Sequence, residues 1–255
     1  AFARPETDAC AEERSFLCAG DIIAFQEDPG ISIFLRRTSV GYQPLENYGI
    51  IGDMHTCALV GLDGSIDWLC LPHFDSPSVF SKILDDKKGG RFQITATCET
   101  KQRQMYLFET NVLVTRFMSE AGVTEVIDFM PIKSAKRSRA PGTHVSRVVR
   151  IVKCTRGTMP MRMTCQPAID YGRRGHRLEV KGSQAFFNTV NGERALGLSG
   201  SIDLRGDGRT VSLDFLLRAS ERVEFVLWPV DPEKPDSQNR PVTDTAQSLE
   251  HTIQF

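Results

Sequence analysis

From Tyr48 to about Val230 the chain alternates short apolar runs with turn-forming residues. The runs are Cys57–Gly61, Ser65–Leu71, Arg91–Thr95, Asn111–Met118, Val123–Phe129, Val145–Cys154, Met159–Cys165, Gln184–Val190, Thr210–Leu217 and Val223–Trp228. Val, Ile, Phe and Thr are frequent in them, and several alternate apolar with polar positions, the period of a half-buried strand. Asp63-Gly64, Asn191-Gly192 and Asp207-Gly208 separate runs with dipeptides that tolerate the positive φ of tight hairpin turns. Glu120-Ala121-Gly122 reads the same way. No helical stripe interrupts this region. Short strands in series with such turns predict an all-β fold, a large antiparallel β-sandwich.

The flanks differ. Residues 1–42 mix charge, Cys and one apolar stretch, Ile31 to Leu35, without a motif, and read as an N-terminal extension. Residues 43–230 form the expected sandwich domain. Residues 231–255 begin with a hydrophilic connector, Asp231 to Pro241, whose three prolines suit a linker or surface loop. Asp244 then stands as a candidate helix cap, with Gln247 three residues on completing a capping box. Ala246, Leu249 and Ile253 follow at helical spacing, so the chain ends in the start of a linker helix. No Gly, Asn or Pro stop signal follows, which is the pattern of a helix leading into further chain.

Composition narrows the function classes. A formal net charge of -1 and a pI near 6.6 give no global case for nucleic acid or an anionic membrane as partner. No apolar run approaches the length of a spanning helix, and Ala1–Gly20 lacks the basic and apolar regions of a secretory leader. Seven cysteines are scattered without a C-x-x-C pair, so neither a metal site nor a complete disulfide framework is expected. Cys57 and Cys70 sit inside apolar runs, where a thiol acts as a small hydrophobe. Reduced thiols suit a cytoplasmic location. No cofactor fingerprint is present; Gly49-Ile-Ile-Gly52 lacks the third glycine of a dinucleotide motif.

The segment Tyr48 to Ile94 carries the strongest signal. It contains Ile51-Gly52-Asp53, then Cys57-Ala-Leu-Val-Gly-Leu-Asp-Gly-Ser-Ile-Asp-Trp-Leu-Cys-Leu-Pro-His-Phe-Asp-Ser-Pro-Ser-Val-Phe80, then Gly89-Gly-Arg-Phe-Gln-Ile94. Asn111–Phe117, Gly122–Pro131 and Pro167–Gly172 follow in order. Together these blocks resemble the N-terminal domain of glycoside hydrolase family 15, the glucoamylase- and trehalase-like proteins, over roughly residues 44–255. The main departure is His73, where Arg is commoner in that family. The resemblance implies a sandwich joined by a helical linker to a catalytic (α/α)6 barrel of the same polypeptide that hydrolyses α-glucosides with inversion. Inversion needs two carboxyl groups about 6.5–9.5 Å apart. In that family both are glutamates of the barrel, so no catalytic residue is assigned within residues 1–255.

Asp63, Asp67 and Asp75 with Trp68 could offer a sugar carboxylates and an aromatic face. Strict alternation, however, puts Ile66, Trp68 and Cys70 on one strand face and Asp67 and Leu69 on the other, which favours a core place for Trp68. The turn Phe74-Asp75-Ser76-Pro77 is a rigid, locally bonded loop. His73, Asp75, Ser76 and Trp68 are therefore the candidates for a substrate rim or domain interface. Lys133–Arg139 and Arg173–Arg177 are basic but lack interleaved aromatics, and read as solvated loops. Three functional readings follow: a non-catalytic domain that supports the barrel and shapes its substrate entrance, a stand-alone carbohydrate-binding module, or a truncated structural fragment.

Overall fold

The computed structural model describes residues 41–132, 145–191, 194–230 and 245–255, with Arg194 described by its backbone alone. All lie in the unit Ser39–Phe255. The Ile31–Leu35 stretch, Cys10, Cys18, Gly192, the basic run Lys133–Arg139, the proline connector and the Asp244 cap lie outside the described residues.

After a 3-10 turn at Leu45–Asn47 the strands are β1 (Tyr48–Gly52), β2 (Cys57–Gly61), β3 (Ser65–Cys70), β4 (Ser78–Phe80) and β5 (Arg91–Ala96). Then come β6 (Lys101–Tyr106), β7 (Leu113–Met118), β8 (Gly122–Phe129), β9 (Val148–Gln166) and β10 (His176–Lys181). The series closes with β11 (Gln184–Thr189), β12 (Arg194–Gly200), β13 (Gly206–Asp207), β14 (Thr210–Arg218), β15 (Arg222–Pro229) and a helix, α1 (Thr245–Ile253). Every pairing is antiparallel, as the alternating runs require.

Two sheets share one strand. Sequence reading split Val145–Cys154 from Met159–Cys165, but both belong to the 19-residue β9. Its first half pairs β8 and β15, and its second half, from Thr158, pairs β5 and β14. The changeover falls at Gly157, whose φ of +68° favours glycine and where a Cβ would lie 2.0 Å from the Ala121 carbonyl oxygen. A bulge between Val123 and Thr124 of β8 adjoins it. The first sheet therefore runs β1-β2-β3-β5-β9-β14-β13, with β4 beside β3. The second runs β6-β7-β8-β9-β15-β12-β11-β10.

The core fills the space between them. Ile51, Ala58, Leu69 and Phe80 stand opposite one another across the first sheet and join Phe117, Val126, Phe187 and Phe225 of the second in one buried cluster. At its centre lies a charge. Arg150 of β9 is fully buried and forks onto Asp128 of β8, Nε to Oδ1 at 2.8 Å and NH2 to Oδ2 at 3.1 Å. It also donates across the sandwich, to the carbonyls of Phe92 at 2.6 Å and Gly64 at 2.8 Å, while its guanidinium lies 4.8 Å from the Phe92 ring centroid. One side chain thus ties both sheets together.

A second apolar cluster, including Phe129, Val149, Ile151 and Trp228, covers the outer face of the second sheet. Leu249 of α1 packs there. Helix α1 exists as expected, but its docking face differs from the predicted one. Thr245 and Thr252 are buried and Leu249 is half-buried, whereas Ala246 and Ile253 are exposed. Polar anchors set this rotation: the Thr245 hydroxyl donates to Glu224, Arg147 donates to the Ser248 hydroxyl at 2.7 Å, and the Thr252 hydroxyl accepts from Ile132 N–H at 3.4 Å.

Candidate functional site

Strand β3 does not keep strict alternation. Leu59 of β2 faces Trp68, but its neighbour Val60 faces Ile66, so Asp67 is an extra residue, a β-bulge. The bulge moves Leu69 onto the core face with Ile66 and turns Trp68 outward beside Leu59 and Ile50, both outside the core cluster. Trp68 is half-buried rather than a core residue, and the expected grouping of Ile66, Trp68 and Cys70 is incorrect. Trp228, the other tryptophan, is fully buried.

Asp67 is buried in spite of its charge. Its Oδ2 accepts from the Tyr48 hydroxyl at 2.7 Å and meets Lys82 Nζ at 3.4 Å, while Oδ1 has no hydrogen-bond partner among the described residues. Burial, reinforced by this carboxylate, pushes the Tyr48 hydroxyl well above the ordinary tyrosine range. Asp63 is held in the β2–β3 turn, where Oδ1 accepts from Ser65 N–H and the Ser65 hydroxyl. Both acids are thus part of the scaffold. Cys57 and Cys70 are free thiols pushed above the usual cysteine range, chiefly by burial.

The loop after β3 presents the remaining candidates. Pro72, His73, Phe74, Asp75 and Pro77 are exposed and Ser76 is half-buried. The Ser76 hydroxyl accepts from His73 N–H at 3.1 Å, and Ser76 N–H donates back to the His73 carbonyl at 3.1 Å. Phe74 N–H donates to the His55 carbonyl at 3.0 Å, and the His55 and His73 rings lie 6.2 Å apart. His55 sits in the β1–β2 turn, where buried Asp53 accepts from the N–H groups of His55 and Thr56 through Oδ1. His73 and Ser76 are therefore held together on a fixed turn. Asp75 projects from it without a side-chain partner among the described residues.

Trp68 meets a residue that sequence reading left out. Tyr171 is 41% exposed, and its ring lies 6.3 Å from that of Trp68 at 49°. Asp170, Tyr171 and Gly172 adopt φ of 56°, 56° and 76°, three left-handed residues in succession. For the two non-glycine residues that geometry costs about 1–2 kcal/mol each. The turn is held by Tyr171 N–H to Ser78 O at 3.3 Å and Gly172 N–H to Ala168 O at 2.9 Å. The Arg173 guanidinium lies 5.4 Å from the Tyr171 ring centroid. The sequence places Tyr171 in the Pro167–Gly172 block and reads only the following Arg173–Arg177 as a solvated basic loop. Arg173 and Arg174 are exposed, but His176 opens β10 and is buried, its Nε2 2.9 Å from the Arg209 carbonyl.

Two exposed aromatic surfaces result, Trp68–Tyr171 and the Phe74 turn, on residues held by backbone hydrogen bonds. They can stack on a sugar ring or seat an apolar segment. Among the described residues no group of three His, Cys, Asp or Glu could hold a metal ion, and no helix is long and apolar enough to cross a membrane.

Comparison with known proteins points one way. The family described as "Trehalase-like, N-terminal" matches residues 37–200. A trehalase of Thermoplasma volcanium is 34% identical over 179 residues, 69% of this chain and 28% of its own length. Trehalase 1 of Sulfolobus acidocaldarius is 43% identical over 114 residues, 44% of this chain and 19% of its own. The trehalase of Mycolicibacterium smegmatis is 31% identical over 154 residues, covering 55% and 23%. The chain thus spans about a quarter of the length of these relatives.

Proposed function

This chain belongs to the trehalase-like N-terminal family, and from that premise we propose that it is the non-catalytic β-sandwich domain of a glycoside hydrolase family 15-like enzyme, of glucoamylase or trehalase type. In this reading residues 43–230 are the supporting body, residues 231–255 lead toward a catalytic (α/α)6 domain of the same polypeptide, and residues 1–42 are an extension. The substrate class is α-glucosides. His73, Asp75, Ser76 and Trp68 shape the entrance to the catalytic domain or contact it, with Tyr171 completing the surface.

The observation that carries the reading is the fixed presentation of exposed aromatics beside a scaffold whose buried acids are already engaged. Asp128 is committed to Arg150, and Asp67 to Tyr48 and Lys82. An inverting site needs one acid free to protonate a leaving oxygen and another to activate water. Asp75 is open, but it stands on an exposed turn, and among the described residues its side chain makes no hydrogen bond or ion pair that could orient it.

The test is direct. Pure chain is incubated with trehalose, maltose and soluble starch, and released glucose is measured. No turnover is expected; saturable glucose release that disappears on replacing a carboxylate of residues 41–230 overturns the proposal. In the full-length polypeptide, Tyr171→Ala and Phe74→Ala are expected to raise KM several-fold with the fold intact. Unchanged kinetics in both removes these loops from the substrate entrance.

A further inference from the structure

A cleft of about 750 Å³ lies on the outer face of the first sheet, over β5, β9 and β14. Its floor follows from register. Gln93, Thr164 and Ser212 stand opposite one another, as do Thr95, Arg162 and Asp214. Each alternates with core residues such as Ile94, Met163 and Leu213, so these polar side chains face outward. One wall is the segment between β12 and β13, which brings in Asp203 and Arg205. That wall is anchored by Ser201 N–H to Glu224 O at 2.9 Å, Leu204 N–H to Gly182 O at 2.9 Å and the burial of Leu204.

What matters is which polar groups remain unused. Arg162 forks onto Asp214 at 2.6 and 2.7 Å and is satisfied. The amide nitrogen of Gln93 donates to Asp63 Oδ2 at 3.0 Å, which leaves its oxygen as an acceptor on a residue that lines the cleft. Among the described residues the side chains of Arg91, Asp203 and Arg205 hold no ion pair or hydrogen bond, although all three line one cleft. Free donors and a free carboxylate therefore coexist within a pre-formed concavity built on strands.

We infer that this cleft is a binding site for a neutral polyhydroxylated ligand, a short chain of sugar units. A hydroxyl both donates and accepts, so neighbouring hydroxyls can satisfy a guanidinium fork on one side and a carboxylate on the other. With Arg162 and Asp214 neutralising each other, an anion would meet the carboxylate of Asp203, and a cation would meet the guanidinium groups of Arg91 and Arg205. Ile202 and Phe215, both half-buried, border the cleft and pack against the core, which fixes its floor and wall. The volume falls within the roughly 300–1,000 Å³ of small-molecule sites. The site goes beyond the proposed role of the domain, because it needs neither a catalytic partner nor the His73 turn.

The experiment is calorimetric titration of the chain with maltoheptaose, with inorganic phosphate as a separate arm. Saturable maltoheptaose binding is expected, weakened about tenfold by Arg91→Ala and by Asp203→Asn, the loss typical of one hydrogen bond to a charged group. Phe108→Ala, at an exposed turn that does not line the cleft, should leave that affinity unchanged. Both cleft residues have open side chains, so unchanged thermal midpoints check that the variants fold. No maltoheptaose binding, binding of phosphate in its place, or binding lost with Phe108→Ala but kept with Arg91→Ala each overturns the inference. None of these outcomes bears on the glucose-release assay, so the two proposals fail separately.

Discussion

Arg150 ties the two sheets together, and its removal has a calculable consequence. Arg150→Met keeps the length and apolar stem of the side chain but leaves the Asp128 carboxyl group fully buried, with no other side-chain partner among the described residues. It also withdraws a donor from the carbonyls of Phe92 and Gly64, the contacts that reach the opposite sheet. Breaking one side of a buried pair costs about 3–5 kcal/mol, because the remaining charge is uncompensated. Domain stabilities are typically about 5–15 kcal/mol, so the loss is a large share of the total. With a guanidinium m-value near ~4 kcal/mol/M, the unfolding midpoint should fall by roughly 1 M. Asp128→Leu combined with Arg150→Met should recover most of that loss, since apolar replacement of a whole buried pair is often neutral. Equilibrium denaturation of the four proteins in the cycle reads both quantities. A midpoint shift under about 0.2 M for Arg150→Met, equivalent to less than ~1 kcal/mol, would refute the argument. So would a double variant as destabilised as the sum of the singles.

Other outcomes follow from the same structure. Gly64→Ala places a Cβ 2.0 Å from the Ile94 carbonyl oxygen at a φ of +78°, and a loss of more than about 2 kcal/mol in denaturant unfolding is expected. Asp214→Asn removes an exposed ion pair with Arg162 and should leave the thermal midpoint unchanged, because water already screens such charges. His176 is buried, and that burial lowers its affinity for a proton despite the Arg209 carbonyl. Below the unfolded histidine pKa near 6.5 the unfolded chain therefore binds more protons than the folded one. Stability should hold above about pH 6.5 and decline as pH falls toward the folded value; His176→Phe should flatten this dependence in urea unfolding measured between pH 5 and 7.

Much of the architecture is legible because alternation is a physical constraint of half-buried strands. β2, β3, β5, β8, β14 and β15 lie within a residue or two of the predicted runs, and the Asp63-Gly64 and Asp207-Gly208 turns carry the expected positive φ at glycine. Edge and polar strands are not legible. Lys101–Tyr106 of β6 has little apolar content and is held by pairing with β7, together with the Tyr106 hydroxyl that accepts from Ile50 N–H at 2.7 Å. β9 reads as two runs because its middle, Thr155 to Thr158, passes between sheets where no single face is buried. The amphipathic pattern of α1 identified a helix but not its rotation, which hydrogen bonds from three separate strand ends and loops decide.

The candidate site was harder to read for a different reason. Trp68 points outward because one extra residue is inserted opposite Leu59 and Val60, and an inserted residue leaves no mark in a period-2 pattern. The local sequence Ile66-Asp67-Trp68-Leu69 is compatible with two facings, and pairing with β2 selects between them. Tyr171 was present within a motif block, yet only Gly172 hinted at left-handed geometry, and two non-glycine residues before it share that geometry. Deleting Asp67 removes the extra residue and keeps Trp68 opposite Leu59 and Leu69 opposite Ala58, so it should leave Trp68 facing outward and Leu69 in the core. Tryptophan fluorescence gives a clean readout, because Trp228 is already fully buried and should not change. An unchanged, quenchable Trp68 signal is expected for a folded deletion variant, while a blue shift with loss of iodide quenching would show that Asp67 is not the residue inserted opposite Leu59 and Val60. Asp67→Asn, which keeps the extra residue and the hydrogen-bonding shape of its side chain, should likewise retain the quenchable signal, so a shift seen in the deletion variant alone is assigned to chain length and not to charge.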